Sequence, residues 1–247
     1  MVIMELETGT LAIIALAWAR RLHMEDSALA SVAMGGDTPL RINHIDEESS
    51  TVTFLRFGAG SVLCGPDWLL RAAAETSDEE LAAEAVLLGL LRDHGDVSAR
   101  GLGESLLYHA DQPPEIAEST TTLVSDEVST AVELEELCPR DDLAGVRLSH
   151  QDKSFTLISE EGQAPLAGAG YSVWEGLIAD LAVLTAPSLR RHGLGTYIAA
   201  VAADDALSEG FVAQFSADVN HKGAQRLADA LGLVLSGSLT RASLGGE

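Results

Sequence analysis

The hydrophobic positions in the second half of the chain alternate between a strand period and a helix period. Three apolar runs have the length and composition of strands and lie at 155–158, 165–174 and 177–185. A helical pattern then runs from about Gly193 to Leu207, and Gly210 ends it. The other predicted elements are a short helix at 132–137, a strand at 211–219, a helix at 224–231 and a strand at 234–244. The order α-β-β-β-α-β-α-β predicts a mixed α/β fold.

The first half predicts helices and one hairpin in a less regular order. Residues 10–34 have a helical pattern, and residues 66–93 predict a pair of helices in which Ser77 begins a capping box. Between them, two β-rich runs flank Gly58-Ala59-Gly60 and predict a hairpin over 51–64. The segment 104–109 predicts a further strand or a short helix.

Residues 111–130 are the best candidate for a domain boundary. They contain two prolines and many Ser, Thr and acidic residues, although Thr120–Val124 has the pattern of a strand. We therefore expect an N-terminal α+β region at 1–125 and a second domain at 126–247. A turn is expected at Glu161-Gly162, between the first two strands of the second domain.

The charge of the chain narrows the classes of partner. Its 247 residues contain 38 Asp and Glu against 15 Lys and Arg, which gives a formal net charge of −23. Phosphate-backbone binding needs a basic face, so we expect no nucleic-acid partner, and docking on an anionic membrane is disfavoured. A solubility surface explains the charge most simply, and a cationic or amine substrate would also be compatible with it.

The cysteines and the apolar runs predict a soluble cytoplasmic protein. Cys64 and Cys138 form neither a disulfide framework nor a zinc signature, and each has apolar neighbours and a nearby proline. Buried free thiols in a reducing compartment are the expected outcome. The apolar run at 11–19 is too short to span a bilayer, and the residues before it are acidic, unlike a signal peptide.

One segment carries a chemical signal: a buried strand that runs into Pro187 and then into Arg190-Arg-His-Gly193-Leu-Gly195-Thr196 at the start of a helix. The two glycines allow the backbone to approach a ligand. The N–H groups of residues 191–196 would point outward at a helix N-terminus, which suits a pyrophosphate. A tight β–α turn without a ligand is the alternative interpretation. The chain has no metal-ligand spacing among its histidines, no nucleophile elbow and no Walker loop.

In this context the second half resembles the GNAT superfamily of acyl-CoA N-acyltransferases. The resemblance rests on Arg190-x-x-Gly193-x-Gly195 between a strand and a helix, and on a later segment, Asn220-His221-x-x-Ala224 through Gly232-Leu233. It implies a GNAT-like α/β fold with a mixed sheet in the C-terminal half. The whole chain is similar to an actinobacterial-type branch with an extra N-terminal region. That region would be either a degenerate GNAT-like copy or a lid over the acceptor site.

The resemblance also implies a site for acetyl-CoA as co-substrate, without a metal. Backbone groups of Val183, Leu184 and Thr185 would pair with the pantetheine arm. The pyrophosphate would lie against Arg190, Arg191, His192, Gly193, Leu194, Gly195 and Thr196. Asn220 or His221 would approach the cofactor arm, because one extra residue before Ala224 shifts the motif. The tyrosine that often acts as general acid is absent, and Ala228 stands near its position.

The predicted activity is transfer of an acetyl group from acetyl-CoA to a primary amine by direct attack in a ternary complex. Asp180, at the start of the central strand, is the first candidate for the base, and Glu175 is the second, although each also fits a strand end or a turn. The acceptor would be a small-molecule amine or a protein amine, and a homodimer is an open expectation. One alternative is a catalytically inactive acyl-CoA-binding sensor or partner-binding protein, and another is a phosphate-binding domain of unrelated function.

Overall fold

The computed structural model describes residues 5–34, 40–114, 122–159 and 164–245. Its α-helices are α1 Thr8–Arg21, α2 Ala30–Met34, α3 Asp67–Ala72, α4 Asp78–Leu81, α5 Glu84–Asp93, α6 Val128–Glu136, α7 Leu194–Ser208 and α8 Lys222–Ala230. Its first five strands are β1 Leu40–Ile45, β2 Thr51–Phe57, β3 Gly60–Gly65, β4 Arg100–Ala110 and β5 Thr122–Ser125. The others are β6 Lys153–Ser159, β7 Pro165–Trp174, β8 Ile178–Thr185, β9 Val212–Asp218 and β10 Val234–Ser243.

The element order predicted for the second half is confirmed, with ends that differ by a few residues. The predicted hairpin is β2 and β3, and Ser77 and Glu80 form the predicted capping box at α4. The segment 104–109 lies in strand β4, so its helical alternative was wrong. The candidate boundary at 111–130 contains β5 and the start of α6, whereas residues 115–121 and the turn at 161–162 lie outside the described residues.

Contacts divide the chain into two compact units. The N-terminal unit holds residues 6–108, 216–222 and 235–245 of the described chain. The C-terminal unit holds Glu5 and residues 109–215 and 223–234, again within the described residues. The division therefore falls inside β4 and inside β9, and the boundary expected at 125/126 stays a prediction.

The N-terminal unit has a mixed sheet with the strand order β1-β3-β2-β10-β4. β1 is parallel to β3, whereas β3 with β2 and β2 with β10 are antiparallel. The sheet covers a core that joins strand residues such as Phe54 and Leu63 to Leu69, Leu87 and Leu91 from the helices. The predicted pattern missed β1, whose six residues are exposed or half-buried without a regular alternation.

The C-terminal unit has a mixed sheet with the strand order β9-β8-β7-β6-β5. The strands β5 to β8 are antiparallel to their neighbours, and β8 is parallel to β9. α7 connects these two parallel strands, as parallel neighbours require a crossover. Alanines fill the buried face of α7, at Ala199, Ala200, Ala202, Ala203 and Ala206. Their small side chains let the helix approach the sheet closely.

On the opposite face of this sheet, Gly168 of β7 lies beneath α6. A side chain at Gly168 would lie 2.6 Å from Leu148 Cδ1 and 2.9 Å from Leu134 Cδ2. Leu134 belongs to α6, and Leu148 begins a 3-10 turn at Leu148–His150. Both leucines are fully buried, so the missing side chain at 168 sets how closely α6 and the 3-10 turn approach β7.

No helix within the described residues is both long and apolar enough to cross a membrane.

Gly168→Ala is expected to lower the free energy of unfolding by about 1–3 kcal/mol, because the added methyl overpacks the contact with Leu134 and Leu148. Gly89→Ala is the matched control, since Gly89 lies inside α5 and an added methyl there meets nothing within 4 Å. That change should raise stability by about 0.5–1 kcal/mol. Urea unfolding of the two variants measures both effects, and a Gly168→Ala protein as stable as the wild type would contradict the packing argument.

Candidate functional site

The glycine loop, defined here as residues 187–196, connects β8 to α7. Pro187–Leu189 forms a 3-10 turn, and α7 begins after Gly193, whose φ of 81° lies in the left-handed region. Arg191 has a φ of 67° and is strained there, because it carries a side chain. The first N–H groups of α7 have no partner inside the helix. They point toward the loop and, with the helix dipole, favour an anion.

Space around the two glycines differs. A side chain at Gly193 would meet nothing within 4 Å, so this part of the loop is open to a ligand. A side chain at Gly195 would lie 2.8 Å from Thr185 Oγ1 and 3.6 Å from Val183 Cγ1. Gly195 therefore lets the first turn of α7 pack against the end of β8, and it fixes where the N–H groups lie.

The basic residues of the loop have different partners. Arg190 Nη2 donates to Asp142 Oδ2 at 2.6 Å, and Arg190 Nε donates to the Thr185 carbonyl at 3.4 Å. His192 Nδ1 lies 3.2 Å from the Leu189 carbonyl. Arg191 is exposed and is not involved in the salt bridges found among the described residues. Arg190 thus braces the loop against the segment after α6, whereas Arg191 can turn toward a ligand.

β8 and β9 pair only at their beginnings. The parallel register joins Ile178–Leu181 to Val212–Phe215 and goes no further. Residues 182–185 of β8 therefore have an edge that β9 does not cover, and we call this opening the fork. The fork ends at the glycine loop.

Strand alternation assigns backbone groups to the fork. The Ala186 N–H donates to the Leu166 carbonyl, so the backbone groups of Ala186 point toward β7. In a regular antiparallel ladder the backbone groups of every second residue of β8 point the same way. The backbone groups of Leu184 accordingly face β7. Those of Val183 and Thr185 face the fork, and the Thr185 carbonyl also accepts from Arg190. Of the three residues expected to pair with a cofactor arm, two present their backbone to the opening.

Asp180 lies immediately before the fork and is held by a buried amide. Gln214 faces it across the β8–β9 pair, and Gln214 Nε2 donates to Asp180 Oδ1 at 3.1 Å. Gln214 Oε1 lies 3.0 Å from His109 Nε2. The amide nitrogen is used by Asp180, so the amide oxygen must accept, and His109 is the tautomer that carries its proton on Nε2.

His109 and Gln214 are functional candidates that the sequence did not reveal. Both are almost completely buried, with exposed fractions of 1% and 3%. Burial lowers the pKa of His109 to about 4, and the hydrogen bond with Gln214 offsets only part of that effect. His109 is therefore neutral at pH 7, and it contacts the amide of Gln214 that holds Asp180. The signal available in the sequence was a polar residue inside each of two apolar strands.

Glu175 is not brought to the fork. It forms a two-residue turn with Gly176 between β7 and β8, with positive φ values at both residues and a hydrogen bond from Leu177 N to the Trp174 carbonyl. This is the geometry of a type I′ hairpin turn. Glu175 is exposed, five residues before Asp180 along the chain, or about 16 Å along a strand. Its geometry is that of a turn residue, which was the alternative to a catalytic role for Glu175.

Asn220 and His221 are exposed and precede α8. They belong to the segment 216–222, which is assigned to the N-terminal unit by its contacts. The approach of Asn220 or His221 to a cofactor stays a prediction. Ala228, near the position expected for a tyrosine, is fully buried. Leu227 Cδ1 lies 3.8 Å from the position that a side chain at Gly195 would take, so α8 also packs against the start of α7.

The two cysteines are buried free thiols. Burial raises the pKa of Cys64 to about 11 and also raises the pKa of Cys138. Cys138 Sγ lies 3.9 Å from the Thr185 carbonyl, close to the fork, but as a thiol with a raised pKa it is a poor nucleophile at neutral pH. Within the described residues, no group of three His, Cys, Asp or Glu could hold a metal ion.

Comparison with known proteins places the fork inside a family match. Residues 118–233 match the model of the family described as Acetyltransferase (GNAT) family. No curated protein matches the chain.

Several solved structures are similar to this chain. One is a GCN5-related N-acetyltransferase from Kribbella flavida, at 18% identity over 65% of this chain and 64% of that chain, with a TM-score of 0.47. Another is an acetyltransferase of the GNAT family from Colwellia psychrerythraea, at 15% identity over 66% of this chain and 61% of that chain, with a TM-score of 0.44. The matched part thus spans less than two thirds of both proteins. A third is a tandem GNAT protein from the clavulanic acid biosynthesis pathway, at 12% identity, with a TM-score of 0.44. That match covers 97% of this chain and 95% of the other.

The buried neutral His109 predicts a pH effect on stability. The unfolded chain binds this proton near pH 6.5, but the native state binds it only near pH 4, so acid favours the unfolded chain across that window. Between pH 7 and pH 5 the wild type should lose about 2 kcal/mol more unfolding free energy than His109→Gln, whose amide can donate to Gln214 without titrating. Urea unfolding at both pH values measures the difference. Equal pH dependence in the two proteins would show that His109 is not a buried neutral imidazole.

Proposed function

We propose that this protein transfers an acyl group, most simply acetyl, from acyl-CoA to a primary amine, and the match of residues 118–233 to the GNAT acetyltransferase family model supports this. The observation that carries the proposal is the fork, since it opens beside the glycine loop and begins two residues after Asp180. A polyanionic thioester needs an anion site for its phosphates, an edge for its amide groups and a base near its acyl end. These three features occur together along β8 and the loop that follows it.

The residues present fit coenzyme A. The open space at Gly193, the unpartnered N–H groups of the first turn of α7 and the side chain of Arg191 suit a pyrophosphate. The backbone groups of Val183 and Thr185 suit the amides of the pantetheine arm, which would add to β8 as a short strand does. Bound there, the co-substrate supplies the activated thioester carbonyl.

Asp180 would accept the proton that the acceptor amine loses. The amine nitrogen would attack the thioester carbonyl, a C–N bond would form, and the C–S bond would break with the thiolate of CoA as leaving group. The thiolate would take a proton from water, and Asp180 would return the amine proton to solvent. Direct attack requires positioning and a deprotonated amine more than it requires a covalent enzyme intermediate. Gln214 holds Asp180 Oδ1 in place, and neutral His109 fixes Gln214 in turn. Asp180 is preferred to Glu175, because Glu175 lies in the exposed turn.

One observation favours the alternative of an acyl-CoA-binding protein without catalysis. Ala228 lies near the position where the family often has a tyrosine that acts as general acid. Ala228 is fully buried, and its methyl side chain cannot donate a proton. A non-catalytic protein would bind acetyl-CoA but release no thiol with any amine.

Gly193→Asp tests the cofactor site, with Gly193→Asn as its matched control. Both side chains tolerate a positive φ and have nearly the same shape, so the pair differs mainly in charge. We expect the affinity for CoA to fall at least ten-fold further in the Asp variant than in the Asn variant, because a carboxylate beside the pyrophosphate is repulsive. Isothermal titration calorimetry measures both. Equal affinities in the two variants would contradict a pyrophosphate at this loop.

Asp180→Asn tests the proposed base. The amide keeps the shape of the carboxylate but cannot take the proton, so thiol release from acetyl-CoA should fall by roughly 100-fold or more in kcat, with CoA affinity unchanged. Glu175→Gln is the comparison, and it should retain the wild-type rate because its side chain lies in the hairpin turn. A thiol-release assay with a panel of amines measures both. A loss in Glu175→Gln and none in Asp180→Asn would reverse the assignment.

A further inference from the structure

A second basic surface lies in the C-terminal unit, outside the glycine loop. A cavity of about 790 Å³ is lined by Arg140, Arg147, His150 and Gln151, together with residues 143–145. The chain contains only 15 Lys and Arg against 38 Asp and Glu. Two of those cations nonetheless line this cavity, and none of its lining residues is acidic.

The two arginines and the histidine of the cavity are available to a ligand. Arg140, Arg147 and His150 are exposed, and none of them has a side-chain hydrogen bond or an ion pair within the described residues. The nearby carboxylate of Asp142 is held by Arg190. Unpaired arginine on a surface of this net charge is suited to a carboxylate or a phosphate.

The wall that carries these side chains is fixed from below. Leu148 is fully buried in the core beneath it. The backbone N–H and the hydroxyl of Ser149 both donate to the carboxylate of Glu135 in α6, at 2.8 and 3.0 Å. Gln151 Nε2 donates to the Arg147 carbonyl at 3.2 Å. Arg147 and His150 therefore project from an ordered backbone.

The cavity shares one face of the sheet with Asp180. Ser172 Oγ donates to Gln151 Oε1 at 2.7 Å, which joins the cavity wall to β7. Ser172 and Asp180 are register partners in β7 and β8, so their side chains lie on the same face with Cβ atoms about 5 Å apart. The cavity wall is therefore joined, through Gln151 and Ser172, to the strand position beside the proposed base.

We propose that Arg140, Arg147 and His150 bind an anionic group, a carboxylate or a phosphate, of the acceptor whose amine is acylated at Asp180. The inference rests on the proposed function and narrows it. The acceptor is then an amino acid or a phosphorylated amine rather than a polyamine. The overall charge of −23 would favour a dication, but this local surface selects an anion.

Kinetics with matched acceptors tests the proposal. Thiol release from acetyl-CoA is measured with lysine, lysinamide and cadaverine, which share a diaminopentane chain and differ in whether it carries a carboxylate, a carboxamide or neither. β-Alanine and β-alaninamide are a second pair. We expect the acceptors with a carboxylate to have at least ten-fold higher kcat/KM than their amides. In the double variant Arg140→Ala/Arg147→Ala that preference should disappear through a rise in KM, whereas the rate with cadaverine stays unchanged. Arg92→Ala, an exposed arginine in α5, is the control for loss of one surface charge and should keep the preference.

Two further measurements are needed. The first distinguishes a phosphate of the cofactor from an anionic group of the acceptor, and the second distinguishes failure of the anion site from failure of the proposed acyl transfer. Titration with CoA and with 3′-dephospho-CoA shows whether the cavity holds a cofactor phosphate. If the double variant weakens CoA but not dephospho-CoA, the cavity belongs to the cofactor and the proposal is overturned. Broadening of the ³¹P resonance of inorganic phosphate, with CoA at saturation, reports anion binding without turnover. Broadening that is lost in the double variant supports the anion site even if no amine is acylated, in which case only the proposed function fails. No broadening and no preference for carboxylates would overturn the anion site itself.

Discussion

The parallel pairing of β8 with β9 stops after Leu181 and Phe215, and the candidate site depends on that stop. A fully paired strand would have no free backbone groups beyond Asp180 and no opening toward α7. Two contacts hold the end of β8 against the glycine loop. Arg190 bonds the Thr185 carbonyl, and Gly195 allows α7 to pack against Thr185 and Val183 without a side chain between them. The glycine loop and the fork are thus one structure rather than two neighbouring features.

Charge acts at two scales in this chain. The formal charge of −23 describes the average surface. The C-terminal unit nonetheless has two local exceptions, the glycine loop with Arg190 and Arg191 and the cavity with Arg140 and Arg147. Asp142 separates them and is neutralised by Arg190 at 2.6 Å. An anionic ligand that approaches a repelling surface is therefore directed to a few fixed positions, where backbone N–H groups and arginines meet it.

The sequence predicted best what depends on neighbours along the chain. The capping box at Ser77, the loop from Arg190 to Gly195 and the strand periods of β7 and β8 are local patterns, and each was found where it was expected. Features that depend on distant pairing were not accessible. β1 is ordered by its parallel pairing with β3, and its own six residues do not alternate clearly. The partner of Arg190 stands 48 residues earlier in the chain.

The same distinction holds within the candidate site. Asp180 was a candidate because of its position at the start of a strand, but nothing near it in sequence identified Gln214 or His109. These two residues are 105 positions apart and meet only through the fold. The role of a buried polar side chain in an apolar strand can therefore be assigned only when its hydrogen-bond partner in the fold is known. Glu175 shows the reverse case, since its turn with Gly176 is local and the fold adds no partner from a site.

The pairing of β2 with β10 has a consequence for synthesis of the chain. Residues 51–57 lie next to residues 237–243, so the sheet of the N-terminal unit lacks a central strand until residues 237–243 have been made. In a nascent chain that contains only the first half, β2 is an exposed hydrophobic edge strand, and such edges promote aggregation. The loop between Phe57 and Gly237 must close before this sheet is complete, and such long-range pairing is slow. Strand β2 is therefore made well before the strand that completes its pairing.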